Sequence, residues 1–155
     1  MKTWNNAIKD AVVSGSTAAV ASALALVACG AAESGHPVSP LNAVSHWIWG
    51  DRAFRRNRAT VRYTLTGYLT HHCASLFWAV LYEKWLGRPV KSMSETIGDA
   101  ALASAVACVV DYRFTPERLL PGYEKRLSKK SLLLVYGAFA AGLAAGTVLN
   151  SRARY

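Results

Sequence analysis

AVVSGSTAAVASALALVACGAA, residues 11–32, runs for 22 positions between Asp10 and Glu33 without a charged side chain. As an α-helix it rises roughly 33 Å, enough to cross a hydrocarbon layer about 30 Å thick. Its side chains are mostly alanine, serine and glycine rather than leucine or phenylalanine. That composition predicts a span that packs closely against other helices, since small residues let backbones approach.

Three further apolar blocks follow. YTLTGYLTHHCASLFWAVLY, between Arg62 and Glu83, is bulkier, with Tyr63, Tyr82 and Trp85 near its ends, where amphipathic rings favour the membrane interface. It reads as the most lipid-facing block. SLLLVYGAFAAGLAAGTVLNS, between Lys130 and Arg152, places Gly142 and Gly146 at the GxxxG spacing of a helix-packing face. The remaining block is interrupted by acids, with only AALASAVACVV between Asp99 and Asp111. Those two acids stand roughly 18 Å apart along a helix, so a span here carries at least one of them into the nonpolar layer or thins the bilayer. An intramembrane carboxylate is costly and points to a function, with protonation or water access as the plainer alternative.

Composition supports the same class. The 155 residues are 52% hydrophobic and carry 18 Lys and Arg against 9 Asp and Glu, a net charge of +9. Disorder is excluded by the apolar content. A nucleic-acid partner is not expected, because the basic residues fall between the apolar blocks. Cys29, Cys73 and Cys108 all lie inside those blocks and read as small buried side chains rather than a disulfide framework. The expected architecture is an all-α integral membrane four-helix bundle, one transmembrane domain over 1–155. Its spans are about 10–29, 63–84, 94–112 and 131–150, with a short interfacial or re-entrant helix near 40–49.

Polar residues within the spans are the candidate site. In an up-and-down bundle the second and third helices are antiparallel, which brings His72 and Asp99 to nearly the same depth, roughly 15–18 Å from the face that holds Arg62 and Asp111. His72 shares its stripe with Glu83, so it is expected to face the bundle and bond to Asp99 or to a helix hydroxyl, with His71 as the alternate. His71, His72, Asp99, Asp111 and Glu83 are therefore the intramembrane polar candidates, and a structural clamp is favoured over a proton relay. The imidazoles, carboxylates and thiols show no HExxH, CxxC or paired ExxH spacing, and no CxxCH attaches a haem. Neither a metal nor another cofactor is expected. A phosphate loop and a GxSxG elbow are missing too, so no catalytic residue is assigned.

Between the first two spans, Ser39 is expected to cap a helix beginning at Pro40, and Gly50 to end it. Trp47 and Trp49, followed by Arg52, Arg55, Arg56 and Arg58, are expected to meet lipid headgroups. The loop after the third span starts a turn of helix at Thr115–Pro116 and turns again at Pro121–Gly122. These two loops hold eleven Lys and Arg and the rest of the chain seven. The positive-inside rule then puts both basic loops in the cytoplasm and both termini outside. LVAC at residues 26–29 has the form of a lipoprotein cleavage site, but the long Ala- and Ser-rich tract and Asp10 beside its start favour a retained span.

HPVSPLNAVSHWIWGDRAFRRN (36–57), GYLTHHCASLFWAVLYE (67–83) and DYRFTPERLLPGYEKRLSKKS (111–131) together resemble the small multi-pass inner-membrane proteins of bacteria. The resemblance implies the cell's inner membrane as location and brings no activity or site with it. The expected function is a membrane scaffold or accessory protein, acting on the lipid bilayer and on a second copy or another membrane protein. Proton, ion or small-solute transport around His72 and Asp99 is the alternative, and membrane metal or haem binding the third.

Overall fold

A computed structural model describes residues 1–87 and 92–153. The described residues are 83% helix, with no strand among them. Among the described residues six α-helices follow in order: α1 (Trp4–Ser34), α2 (Ser39–Val44), α3 (His46–Trp49), α4 (Thr66–Trp85), α5 (Met93–Val109) and α6 (Lys129–Arg152). A π-helical turn, Val61–Leu65, leads into α4, and another, Val110–Phe114, closes α5. Among the described residues, three stretches are long and apolar enough to cross a membrane: Trp4–Ser34, Met93–Phe114 and Lys129–Arg152. The block expected to be the most lipid-facing does form a helix, α4, but does not meet that measure. Thr66, Thr70, His71, His72, Ser75, Glu83 and Lys84 dilute its mean hydropathy. α1 runs past its expected limits at both ends, so that Asp10, read as a boundary marker, sits almost two turns inside the helix.

The chain divides into two compact units. The first comprises Met1–Ser22, His72–Ala107 and Tyr136–Tyr155, the second Ala23–His71 and Cys108–Val135. In the first unit, Ala11, Ala18, Ala79, Ala100, Ala144, Leu143, Phe139 and Tyr82 form the buried cluster, with Trp78 and Ala103 against it. So many alanines leave little side-chain volume between helix axes, and the backbones come close. α6 meets α1 at Gly142 against Ala18, Gly146 against Ser14, and Asn150, whose amide donates to the Asp10 carbonyl at 2.9 Å. The contacts step four residues at a time in opposite directions, the mark of an antiparallel pair. Thr17 reinforces it by donating to the Gly142 carbonyl at 2.8 Å, and Ser104 of α5 donates to the Tyr136 carbonyl at 2.7 Å.

Large apolar side chains point the other way. Val12, Val20 and Leu24 on α1, Leu69 and Phe77 on α4, Leu102 and Val106 on α5, and Leu133 and Leu149 on α6 are all exposed. A protein folded for water buries such residues and exposes polar ones. Here small and polar groups fill much of the interior, beside Leu26, Val135, Phe139 and Leu143, and many large apolar side chains face outward.

In the second unit, residues 39–46 are buried throughout, so the helix expected near 40–49 packs against its neighbours, in two pieces that meet at Ser45. The cause is close backbone contact: Gly30 abuts Pro40, and Gly67 abuts the Leu41 carbonyl, where an added Cβ would lie 1.9 Å from the oxygen. The expected cap is also different. The helix begins at Ser39 after Val38, with no side-chain cap, and the Ser39 hydroxyl is buried without a partner. Gly50, at φ 66°, ends α3 as anticipated.

Asn42, fully buried, ties the following loop down. Its amide donates to the carbonyls of Arg56 (2.9 Å) and Arg58 (3.1 Å), and its oxygen accepts from the Thr64 hydroxyl at 2.6 Å. Asn42→Ala removes all three bonds and leaves two carbonyls and a hydroxyl to find water, at about 1–3 kcal/mol. Limited trypsin digestion should therefore cut at Arg55, Arg56 and Arg58 several times faster in this variant, whereas an unchanged cleavage rate would show that the loop is held by other contacts.

Candidate functional site: a buried ion cluster

Residues on α1 and α4 bring three charges together inside the first unit. The Lys2 ammonium lies 2.6 Å from Asp10 Oδ2 and donates to Glu83 Oε2. All three side chains are withdrawn from solvent, with exposures of 8%, 9% and 0%. Lys2 precedes α1 and its side chain extends along the first turns of the helix to Asp10, which its long apolar stem allows. Glu83 sits near the end of α4, and its carboxylate can turn back over the chain because Gly87 follows: a Cβ there would lie 2.2 Å from Glu83 Oε2.

Hydroxyls complete the shell. Thr147 of α6 donates to the Leu143 carbonyl at 3.0 Å and lies 3.4 Å from Glu83 Oε1, and its oxygen is 3.0 Å from the Tyr82 hydroxyl. Lys84 donates to the Lys2 carbonyl at 2.7 Å, with its ammonium 4.8 Å from the Trp4 ring. Trp4 in turn meets Trp85 edge-on at 5.9 Å. The N-terminal residues are thus fastened to α4 by charge, hydrogen bond and ring contact. Ions held this far from water are stable only when paired, and their mutual attraction is strong in a medium of low dielectric.

Farther along α1, Ser16 Oγ and His72 Nε2 are 3.2 Å apart. A helix hydroxyl is thus one neighbour of the His72 ring. His72 is only half-buried, whereas His71 is 8% exposed, so the histidine facing inward is the one held as the alternate. The buried positions of α4 and its leading turn step by four: Tyr63, Gly67, His71, Ser75, Ala79, Glu83. His72 lies just off that stripe. Asp99 stands half-buried on α5, and Asp111 half-buried in the π turn that closes it.

The expected headgroup residues are in the second unit. Trp47 donates its indole N–H to the Leu120 carbonyl at 2.8 Å and Trp49 to the Arg62 carbonyl at 2.7 Å, with the Arg62 guanidinium 4.4 Å over the Trp49 ring. Arg52, Arg55, Arg56 and Arg58 are exposed, and Arg56 lies 5.1 Å over the Tyr63 ring. Gly142 and Gly146 are buried against α1.

Sequence reasoning did not find Lys2 or Asp10. Asp10 was read as a flanking charge, and the available signal was that it precedes the apolar block without any turn or helix stop between them. No group of three or more His, Cys, Asp or Glu side chains is placed to hold a metal ion among the described residues. Compared with protein-family models, curated proteins and solved structures, the chain matches none.

Proposed function

We propose that the chain is a small integral membrane protein in which α1, α4, α5 and α6 each cross the bilayer as a four-helix bundle, and that it works by helix packing as a scaffold or accessory subunit. The observation that supports this is the set of large apolar side chains that face outward on α1, α4, α5 and α6, while small and polar groups fill much of the interior. α4 carries the argument furthest. Leu65, Leu69, Cys73 and Phe77, four residues apart, are exposed, while His71, Ser75 and Glu83, three of the polar residues that lower its mean hydropathy, lie on the buried stripe. A helix sorted in this way is suited to lipid on one face and to other helices on the other. The resemblance noted above makes the bacterial inner membrane the proposed location, with the basic loops cytoplasmic and the termini outside. Because Gly142 and Gly146 are engaged with α1, the surface offered to a second copy or another membrane protein is the outward apolar one.

The buried cluster of Lys2, Asp10 and Glu83, with Ser16 and His72 beyond it, favours a second reading: passage of protons, ions or a small solute along the polar interior, with Asp99 in the same path. One experiment separates the two. Wild type, His72→Ala and Asp99→Ala are reconstituted in vesicles for proton flux and sized in mild detergent. A scaffold gives no flux above empty vesicles, self-association or a co-purifying partner, and reduced thermal stability in the variants. Wild-type flux that is lost in variants of unchanged stability would establish the second reading, and a solitary monomer would contradict the first.

A further inference from the structure

The second unit carries a cleft of about 340 Å³ between the turn Gly50–Arg55 and residues 117–125. His46 and Phe54 line it side by side, ring centroids 4.8 Å apart. His46 Nδ1 is 2.8 Å from the Ala43 carbonyl, an acceptor, so Nδ1 carries the proton and Nε2 is left as an acceptor in the neutral ring. Asp51, Glu117 and Glu124 bring negative charge to the lining, and Arg118 and Lys125 positive charge. No ion pair joins these five among the described residues. Lys125 instead rests 4.4 Å over the Phe54 ring. Among the described residues, Glu124 Oε2 accepts the Gly122 backbone N–H, at 2.8 Å, and its Oε1 is buried without a donor.

Charges of both signs around one cleft that do not neutralise each other suit a ligand carrying both signs itself. The carboxylate oxygen without a donor and His46 Nε2 call for N–H donors, and Arg118 and Lys125 call for an anion. A primary ammonium two carbons from a phosphate meets both needs within this volume. Ile48 and Leu119, sequence neighbours of the cleft residues, are exposed apolar side chains, which favours a lipid over a soluble ligand.

We propose that this cleft binds the phosphoethanolamine headgroup of a membrane lipid, the ammonium donating to Glu124 and to His46 Nε2 and the phosphate meeting Arg118 and Lys125. The inference rests on the membrane reading given above. The test uses the full chain in nanodiscs of phosphatidylcholine with equal minor fractions of phosphatidylethanolamine and phosphatidylglycerol, and counts lipids retained after detergent extraction by native mass spectrometry. Wild type should retain phosphatidylethanolamine roughly tenfold over the other two, because choline has no N–H to donate and glycerol no ammonium. Glu124→Gln and the double variant Arg118→Ala/Lys125→Ala should each lose that preference while keeping the wild-type melting temperature in pure phosphatidylcholine. Equal retention of any two lipids, or an unchanged preference in both variants, would overturn the proposal. Soluble O-phosphoethanolamine should displace the bound lipid. If it binds while the lipid is not retained, the lipid assignment is wrong. A chain that fails to enter the nanodiscs at all counts against the membrane reading, not against the cleft.

Discussion

Alanine at Gly142 or Gly146 lowers the stability of the folded chain by about 1–3 kcal/mol, while alanine at Gly137, one turn away on the same helix, leaves it unchanged or raises it slightly. The difference is purely geometric. A Cβ on Gly142 would lie 2.4 Å from the Ala18 Cα, and one on Gly146 would lie 2.3 Å from the Ser14 Cα. Both obstacles are backbone atoms of α1, which cannot rotate aside as a side chain can, so α1 and α6 must separate. Separation also lengthens the bonds from Thr17 to the Gly142 carbonyl and from Asn150 to the Asp10 carbonyl. Nothing lies within 4 Å of a Cβ on Gly137, where alanine only improves helix propensity. Denaturant unfolding in detergent measures all three. Equal tolerance at the three positions would mean that the helices do not meet there.

The second large effect is at Glu83. Glu83→Ala leaves Lys2 with one of its two carboxylates gone and opens a gap in a fully buried site, a loss of about 3–5 kcal/mol typical of breaking a buried ion pair from one side. Lys2→Met is expected to cost a similar amount, because Asp10 and Glu83 then share one apolar pocket without a cation. The double variant Lys2→Met/Glu83→Leu should lose less than the sum of its single changes, since residues in one network couple by about 0.5–3 kcal/mol. Replacing Asp10 by leucine as well should recover most of the wild-type stability, as apolar replacement of whole buried ion networks often does. Additive losses across the series would show that the three charges do not interact in the folded chain.

The sequence shows the helices clearly and the pairing of their polar groups poorly, for a definable reason. Charge-free length is a local property, and α1, α4 and α6 stand out by it alone, whereas α5, cut by Asp99 and Asp111, stands out only by mean hydropathy. In α4 the uncharged polar residues lower that mean, and the four-residue spacing of Leu65, Leu69, Cys73 and Phe77 against His71, Ser75, Ala79 and Glu83 separates its two faces. The GxxxG spacing signals a close approach at Gly142 and Gly146, but the partner helix is more than a hundred residues away in the chain. Asp10 misleads in the opposite sense. A charge beside an apolar block is ordinarily a boundary, and only the position of Lys2, folded back on its own helix, makes it an interior residue. His71 and His72 are adjacent, and a small drift of the stripe decides which one is buried. Ser39 has the residue type of a cap, yet the burial of α2 moves the helix start ahead of it.

The central claim is that the outward face of α4 is in contact with lipid, which makes α4 the fourth span. Cys73, exposed on that face, is a native reporter. With Cys29 and Cys108 replaced by alanine, a nitroxide on Cys73 in reconstituted vesicles is relaxed by dissolved oxygen, which concentrates in hydrocarbon, or by a water-soluble nickel chelate. The account predicts strong relaxation by oxygen and almost none by the chelate. Strong relaxation by the chelate would place this face of α4 in water and contradict the four-span membrane fold.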